Sequence, residues 1–248
     1  MLSARLHIHR SSDAPNFVII RRRSHPGQYR EQMMNIPIQG ISISQTDEVI
    51  HIQSEGQLVT FSSAIIGGGL SHVRHIINAH VDKNFNSSNP KNWLRSLAAT
   101  MDIHGSFIGL MTAVKLSKAR ITFLESDGLG VCALVTAGVR NASAAGITPP
   151  FISNLGTINI ILLLQARLTR AAMLNAVITA TETKTAVLME KNILTPDGDA
   201  ATGTSTDTVT IAATNNGALQ AYGGPVTTIG WLIARAVRES LQQFLDAE

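Results

Sequence analysis

Short stretches rich in Ile, Val and Leu alternate with polar turns along most of the chain, a pattern typical of β-strands. Gaps are short between residues 40 and 66, which favours antiparallel pairing there. The runs near Val131 and Thr157 are almost wholly apolar and indicate central strands covered on both faces. The predicted strands are Phe17–Arg21, Gly40–Gln45, Val49–Ser54, Leu58–Ile66, Phe107–Val114, Arg120–Glu125, Val131–Val139, Thr157–Leu164 and Thr206–Ala213.

Three segments have the spacing and end signals of helices. Asn89 followed by Pro90 predicts a helix that continues to about Thr100. Thr169 is a suitable N-cap for a long helix that ends near Asn192. Apolar residues at helical spacing predict a last, amphipathic helix from about Thr228 to Asp246. The pattern therefore predicts a single α+β (mixed α/β) domain, with a mixed sheet, antiparallel N-terminal strands and covering helices.

Composition narrows the function classes. The chain has 248 residues, 44% hydrophobic and 15% charged, which is enough for a sizeable core. Aromatic residues make up only 4%, which disfavours stacking platforms for single-stranded nucleic acid. The net charge is +3, and an arginine run at 21–23 follows a predicted strand, where a solvated strand end is favoured over a nucleic-acid contact. We divide the chain into an N-terminal segment of unclear role, 1–40, and a main domain that carries the candidate chemistry, 41–248.

The single cysteine, Cys132, lies in an apolar run and is interpreted as a buried structural thiol. The most apolar stretch, Ile158 to Leu164, is too short to span a bilayer. The basic N-terminal residues lack the apolar core of a secretory signal. We therefore expect a cytoplasmic protein that binds neither membrane nor nucleic acid, while a homodimer is compatible with the amphipathic last helix.

Two polar clusters in the first half of the chain are candidates for chemistry. A glycine triplet, which includes Gly68 and Gly69, permits close backbone approach and offers amides to an oxyanion, or forms only a tight turn. Beyond it lie three histidines, of which His80 is the preferred acid–base candidate. Their spacing fits no standard metal pattern, so no metal is expected. The polar residues that follow His80 are Asp82, Lys83, Asn84 and Asn86.

Three more clusters lie in the second half. Asn141 and Ser143 follow a central strand and can bind amides, or form an Asx-type turn. Glu182 lies on the long helix near Lys184, either as a buried acid or base or on a solvent face. A hydroxyl-rich segment ends in a carboxylate at a strand start, where it suits amides, a reacting water or only a turn. Its members include Thr204, Ser205 and Asp207.

Four strings together resemble the adenosylcobinamide amidohydrolase family: 78–86 (NAHVDKNFN), 156–160 (GTINI), 175–184 (NAVITATETK) and 201–207 (ATGTSTD). The segment 224–230 (GPVTTIG) is also similar, and the resemblance extends from about Ser62 to Leu241. It implies cleavage of the amide between aminopropanol and a corrin-ring propionate, which gives adenosylcobyric acid in corrinoid salvage. It also implies a corrinoid substrate that carries its own cobalt, and no separate cofactor.

Amide hydrolysis requires an activated nucleophile, an oxyanion donor and an acid for the leaving amine. His80, Glu182 and Asp207 are the predicted acid–base residues, and Lys83, Lys184 and the glycine-loop amides are the predicted oxyanion partners. Asn86, Asn141, Thr204 and Ser205 are predicted to bind the corrin amides. The alternatives are a corrinoid carrier or sensor without catalysis, an amidohydrolase with another substrate, and a nucleic-acid-binding protein.

Overall fold

The computed structural model describes residues 32–85, 87–150 and 156–247. The predicted strand Phe17–Arg21 and the arginine run after it lie outside this range. Most described strands join one mixed sheet, and two short pairs lie beside it. The strands are β1 Gln32–Met34, β2 Ile41–Gln45, β3 Val49–Ser62, β4 Gly69–His80, β5 Ile108–Thr112, β6 Arg120–Ser126, β7 Leu129–Ala137, β8 Ala142–Ser143, β9 Ile158–Gln165, β10 Arg167–Leu168, β11 Gly203–Thr204, β12 Thr208–Ala213 and β13 Leu219–Gln220.

The helices are α1 Pro90–Thr100, α2 Arg170–Glu190 and α3 Thr228–Leu245. Each begins with the side chain of its N-cap accepting a hydrogen bond from a backbone N–H of the first turn; the caps are Asn89, Thr169 and Thr227. The three helices predicted from spacing are thereby confirmed within one or two residues.

The main sheet has the order β1-β2-β3-β12-β9-β7-β6, and β4 and β5 extend from the other edge of β3. β12 is parallel to β9, whereas most other neighbours are antiparallel. The long strand β3 pairs with β2 through its first half and with β12 through its second half. It therefore belongs to both halves of a curled sheet, which folds over itself.

Alternating side chains assign each face of the sheet to a different core. Val131, Ala133 and Val135 of β7 pack with α2 and α3. Cys132 and Leu134, which point the other way, pack against residues of β2 to β5. The outer face of β4 packs on α1 through Ile77 and Ala79. The layers are thus α1, the β2–β5 half, the β12–β6 half, and α2 with α3. The predicted fold class is confirmed, and the thiol of Cys132 is buried as predicted.

The strand prediction was wrong in two places. The segments predicted as Val49–Ser54 and Leu58–Ile66 belong to one strand, β3, which ends at Ser62; the polar residues between them make a register shift and not a turn. β4 was not predicted as a strand, because His72 and Arg74 at its exposed positions interrupt the apolar run in the sequence. β1, within the predicted N-terminal segment, pairs with β2.

Candidate active site

A buried ion pair joins α2 to the turn before β12. The Lys184 ammonium lies on the inner face of α2 and donates to Asp207 Oδ2. The side chains of the two residues are only 9% and 13% exposed, so both charges are largely removed from water. Charges this buried are stable only when each is paired and hydrogen-bonded. The pair therefore fixes the turn against the helix.

The Asp207 carboxylate accepts four hydrogen bonds. Oδ2 also accepts from the Thr204 backbone N–H at 3.1 Å, and Oδ1 accepts from the Thr204 hydroxyl and from the Ile158 backbone N–H at 3.1 Å. A carboxylate has about four acceptor sites, and all of them are occupied here. Because the proton of the Thr204 hydroxyl points at Asp207, the lone pairs of that hydroxyl point away from the carboxylate. We call Lys184, Thr204 and Asp207 the charged cluster.

Because Gly203 has no side chain, the Lys184–Asp207 ion pair can pack directly against its backbone. A Cβ at this position would lie 2.4 Å from Asp207 Oδ2 and 2.6 Å from Lys184 Nζ. Contacts below 3.0 Å are not tolerated without displacement, so a side chain here would push the ion pair apart. The glycine of the hydroxyl-rich segment therefore has a packing reason that the sequence alone did not reveal.

The loop after β7 holds the same turn from the other side. β8 pairs with β11, so that Gly203 lies opposite Ser143 and Thr204 opposite Ala142. Asn141 Nδ2 donates to the Ser205 hydroxyl at 2.8 Å, whereas the buried Asn141 Oδ1 has no hydrogen-bond partner among the described residues. The predicted residues Asn141, Ser143, Thr204 and Ser205 are thus brought together with Asp207 and Lys184.

A cleft opens beside this turn, between the two halves of the sheet. It has a volume of about 320 Å³, and we call it the inter-sheet cleft. One wall comes from β5 and from the loop after β4, and the other from the starts of β9 and β12. Its polar lining includes Asp82, Thr112, Thr157, Thr206 and Thr208. The Thr206 hydroxyl donates to Gly156 O at 3.2 Å, and Thr206 and Thr208 flank Asp207 in the chain, so the cleft lies beside the turn that carries the charged cluster.

His80 is the last residue of β4 and immediately precedes Val81 and Asp82, which line this cleft. Its Nδ1 lies 3.0 Å from the Val114 carbonyl oxygen. A carbonyl only accepts, so Nδ1 carries the proton and Nε2 of the neutral ring is left as an acceptor. This tautomer suits a general base. No contact joins His80 to the charged cluster, and its catalytic role stays a prediction.

The other predicted residues are more scattered. Glu182 is exposed on α2, on a different side of the helix from the buried Lys184, so the structure does not bring it to the charged cluster. Lys83 and Asn84 are exposed beside the inter-sheet cleft, and the Asn84 N–H donates to Asp82 Oδ1 at 2.8 Å. Gly68 lies exposed in the turn between β3 and β4, and Gly69 is the exposed first residue of β4. Asn86 lies outside the described residues.

The three histidines noted in the sequence are spread along β4. His72 and His80 are eight residues apart, or roughly 26 Å along a strand. His75 contacts His51 instead, with Nδ1 3.0 Å from His51 Nε2. Burial, and then the nearby Arg74 charge, lower the pKa of His75 from its ordinary value.

Sequence reasoning missed a buried chain of neutral polar groups that joins the two halves of the sheet. Asn159 Nδ2 donates to Asn78 Oδ1 and to the Met111 carbonyl, both at 2.9 Å, and Asn78 Nδ2 donates to the Thr136 hydroxyl at 3.2 Å. Asn78, Asn159 and Thr136 are at most 1% exposed. We call them the amide ladder. The available signal was an asparagine inside each of two apolar strand runs.

Comparison with known proteins identifies the family. The family model described as adenosylcobinamide amidohydrolase matches residues 34–248. The chain belongs to the adenosylcobinamide amidohydrolase family. The resemblance drawn from the four strings is therefore confirmed, and every described residue of the site lies inside the matched range.

A curated relative in this family is the adenosylcobinamide amidohydrolase of Methanosarcina mazei. It is 33% identical over 211 residues, which cover 81% of this chain and 95% of that protein. This adenosylcobinamide amidohydrolase family member is thus an enzyme, a hydrolase that acts on an amide bond.

Two solved structures resemble the fold at low identity. A Burkholderia sp. beta-aminopeptidase has a TM-score of 0.46 and 14% identity, with 81% of this chain and 78% of that chain covered. The L-aminopeptidase D-Ala-esterase/amidase of Ochrobactrum anthropi has a TM-score of 0.42 and 11% identity, with 92% of this chain and 82% of that chain covered.

Among the described residues of this chain, no helix has both the length and the apolar composition needed to cross a membrane.

Proposed function

We propose that this enzyme hydrolyses the amide between aminopropanol and the corrin-ring propionate of adenosylcobinamide, which gives adenosylcobyric acid in corrinoid salvage. The family name supports this substrate. The M. mazei relative has the same name, and the alignment covers nearly its whole length. The proposal includes a cytoplasmic location. It also includes no cofactor of the enzyme's own, because the cobalt arrives as part of the corrinoid substrate.

The observation that supports a catalytic centre is the hydrogen bond from the Thr204 hydroxyl to Asp207, beside the Lys184 ammonium. A hydroxyl nucleophile requires an adjacent group that takes its proton. Asp207 is in that position, and its two backbone hydrogen bonds hold it still. We assign Thr204 as the nucleophile, Asp207 as the proton acceptor and Lys184 as the charge that orients the carboxylate.

In this scheme Thr204 Oγ1 bonds to the amide carbonyl carbon while its proton moves to Asp207. The carbon–nitrogen bond then breaks, the proton passes from Asp207 to the aminopropanol nitrogen, and the corrin propionate remains as an ester on Thr204. Water attacks the ester carbonyl, its proton returns Thr204 to a hydroxyl through Asp207, and the carboxylic acid leaves. The net reaction consumes one water and one amide and yields one acid and one amine.

Purified protein incubated with adenosylcobinamide should release adenosylcobyric acid and aminopropanol, as measured by chromatography and mass spectrometry. Thr204→Val removes the hydroxyl at nearly constant volume and should lower kcat by roughly 10²- to 10⁴-fold. Thr204→Ser should recover much of that loss. Thr181→Val is the control, because that exposed hydroxyl on α2 only donates to Val177 O.

Wild-type turnover in Thr204→Val would remove the nucleophile assignment and leave the reaction standing. Tight binding of adenosylcobinamide without any product would replace the proposed hydrolysis by the carrier or sensor function. An acid-quenched reaction adds a direct check, since the peptide containing Thr204 should carry the corrinoid acyl group.

A further inference from the structure

A second cleft, which we call the basic cleft, lies on the other side of Gly156. It has a volume of about 250 Å³ and is formed by the segment after β5 and the loop after β7. Four cationic side chains line it: Lys83, Lys115, Lys118 and Arg140. Its lining contains no carboxylate among the described residues. Sequence reasoning had singled out only Lys83 from this set.

Three of the four cations that line the basic cleft have no carboxylate partner among the described residues. Lys184, Lys191, Arg235 and Arg238 each form an ion pair with an Asp or Glu. Within the described ranges, Lys83, Lys115 and Arg140 form none, and all three are exposed. Asp82 precedes Lys83, but it lines the inter-sheet cleft, where its carboxylate accepts the Asn84 N–H.

Like charges gathered around one concave surface raise its positive potential and concentrate anions there. A phosphate group fits this charge, because it carries about −1.5 to −2 at neutral pH and three strong acceptor oxygens. An arginine can bind phosphate with two parallel hydrogen bonds, and lysines add point charges. Neutral amides on a corrin ring would gain little from four cations.

The basic cleft also borders the proposed reaction site. Ala113 and Gly156 line both clefts, and Gly156 O accepts the Thr206 hydroxyl. A group bound in the basic cleft therefore lies beside the inter-sheet cleft and the turn that carries Thr206. On the proposed substrate the nearest group that can carry phosphate is the hydroxyl of the aminopropanol arm.

We propose that the basic cleft binds a phosphate ester on the aminopropanol arm, so that corrinoids phosphorylated there are preferred over adenosylcobinamide itself. This inference rests on the proposed function and adds a specificity determinant to it. Lys115 and Arg140 act as binding residues that contact the phosphate ester and not the reacting bond, so their charge affects KM more than kcat.

The test compares adenosylcobinamide with its phosphate ester as substrates. Wild-type enzyme should show a KM for the ester about tenfold below that for adenosylcobinamide, as expected for charge-assisted contacts that salt partly screens. The double variant Lys115→Gln/Arg140→Gln should lose that difference, because its KM for the ester rises to the value for adenosylcobinamide. The matched control is Arg170→Gln, which removes one charge at the start of α2, roughly 21 Å along the helix from Lys184.

A second readout does not depend on turnover. Inorganic phosphate should raise the Tm of the wild-type protein relative to chloride at equal ionic strength, and the double variant should lose the shift. Failure of the proposed reaction would leave this shift intact, whereas absence of the shift together with equal KM values would overturn the basic cleft as a phosphate site. A phosphate shift with equal KM values would assign the cleft to a free anion and overturn the substrate preference.

Discussion

The charged cluster and the amide ladder are both buried polar groups, yet they differ in charge and in surroundings. The charged cluster joins a helix to a turn, and its hydroxyl belongs to a segment whose Ser205 and Thr206 are exposed. The amide ladder joins two strands of opposite sheet halves and is enclosed by apolar side chains. The first places reactive groups beside a cleft, and the second holds the walls of that cleft at a fixed distance.

This difference indicates which of the two buried polar regions has a catalytic role and which has a structural one. Neutral amides that satisfy each other and have no access to solvent stabilise one arrangement of the sheet. A buried ion pair adds little net stability over apolar packing, because the desolvation of both charges offsets their attraction. Its presence beside a hydroxyl and a cleft is therefore better explained by a reaction. The predictions below separate the two regions by their effects on activity and on stability.

The largest effect is expected from Asp207→Asn. The amide cannot take the Thr204 proton, so kcat should fall by roughly 10²- to 10⁴-fold. Lys184 would be left buried without its partner, which typically costs about 3–5 kcal/mol in the free energy of unfolding.

Steady-state kinetics and urea unfolding of Asp207→Asn measure both effects. The double variant Lys184→Met/Asp207→Asn should recover stability but not activity, and Asp102→Asn, an exposed aspartate on a different loop, should change neither. Full activity in the stable double variant would contradict the catalytic role of the charged cluster.

Gly203→Ala should come next. The added Cβ would displace Asp207 Oδ2 or Lys184 Nζ, and misplacement of a catalytic group by about 1 Å can cost on the order of 10²-fold in rate. Gly56→Ala is the control, because no atom lies within 4 Å of the Cβ position there. Equal kcat values in the two variants would show that the geometry of the ion pair is not limiting.

Asn78→Ala should act on stability. Removing this side chain leaves Thr136 and Asn159 with buried groups that lose a partner, which costs roughly 1–3 kcal/mol. Urea unfolding of Asn78→Ala, Asn159→Ala and the double variant should give less than additive losses, since the residues share one network. Additive losses would show that the ladder is not coupled.

The smallest effect concerns pH. Burial lowers the pKa of His75 from its ordinary value of 6.5, so the unfolded chain binds this proton more readily. His75 therefore contributes stability above about pH 6.5, which is lost as the pH falls through the lower folded pKa. Partial exposure keeps the effect below about 1 kcal/mol.

Urea unfolding of the wild type and of His75→Gln between pH 5 and 8 measures this dependence. In His75→Gln the free energy of unfolding should fall less steeply as the pH decreases below about 6.5. Between pH 7 and 8 the difference in free energy of unfolding between the variant and the wild type should stay constant. A wild-type slope that persists in His75→Gln would assign the titration to another group.

The sequence predicted the elements whose signals are local. Asn89 and Thr169 marked the starts of α1 and α2 because an N-cap acts within one turn of its helix. The apolar runs of β7 and β9 predicted central strands because residues covered on both faces have no polar alternation. β4 was missed because its exposed face carries His72 and Arg74, and the bulge in β3 appeared as a gap between two strands.

The sequence by itself determined the fold class, the helices and the family, since four short strings in one order are specific even without coordinates. Only the tertiary structure decided which polar residues act together. Lys184 and Asp207 are 23 residues apart and meet only when α2 packs on the sheet, whereas Glu182, two residues from Lys184, points elsewhere. Long-range contacts depend on how elements pack, and that packing has no local signature in the chain.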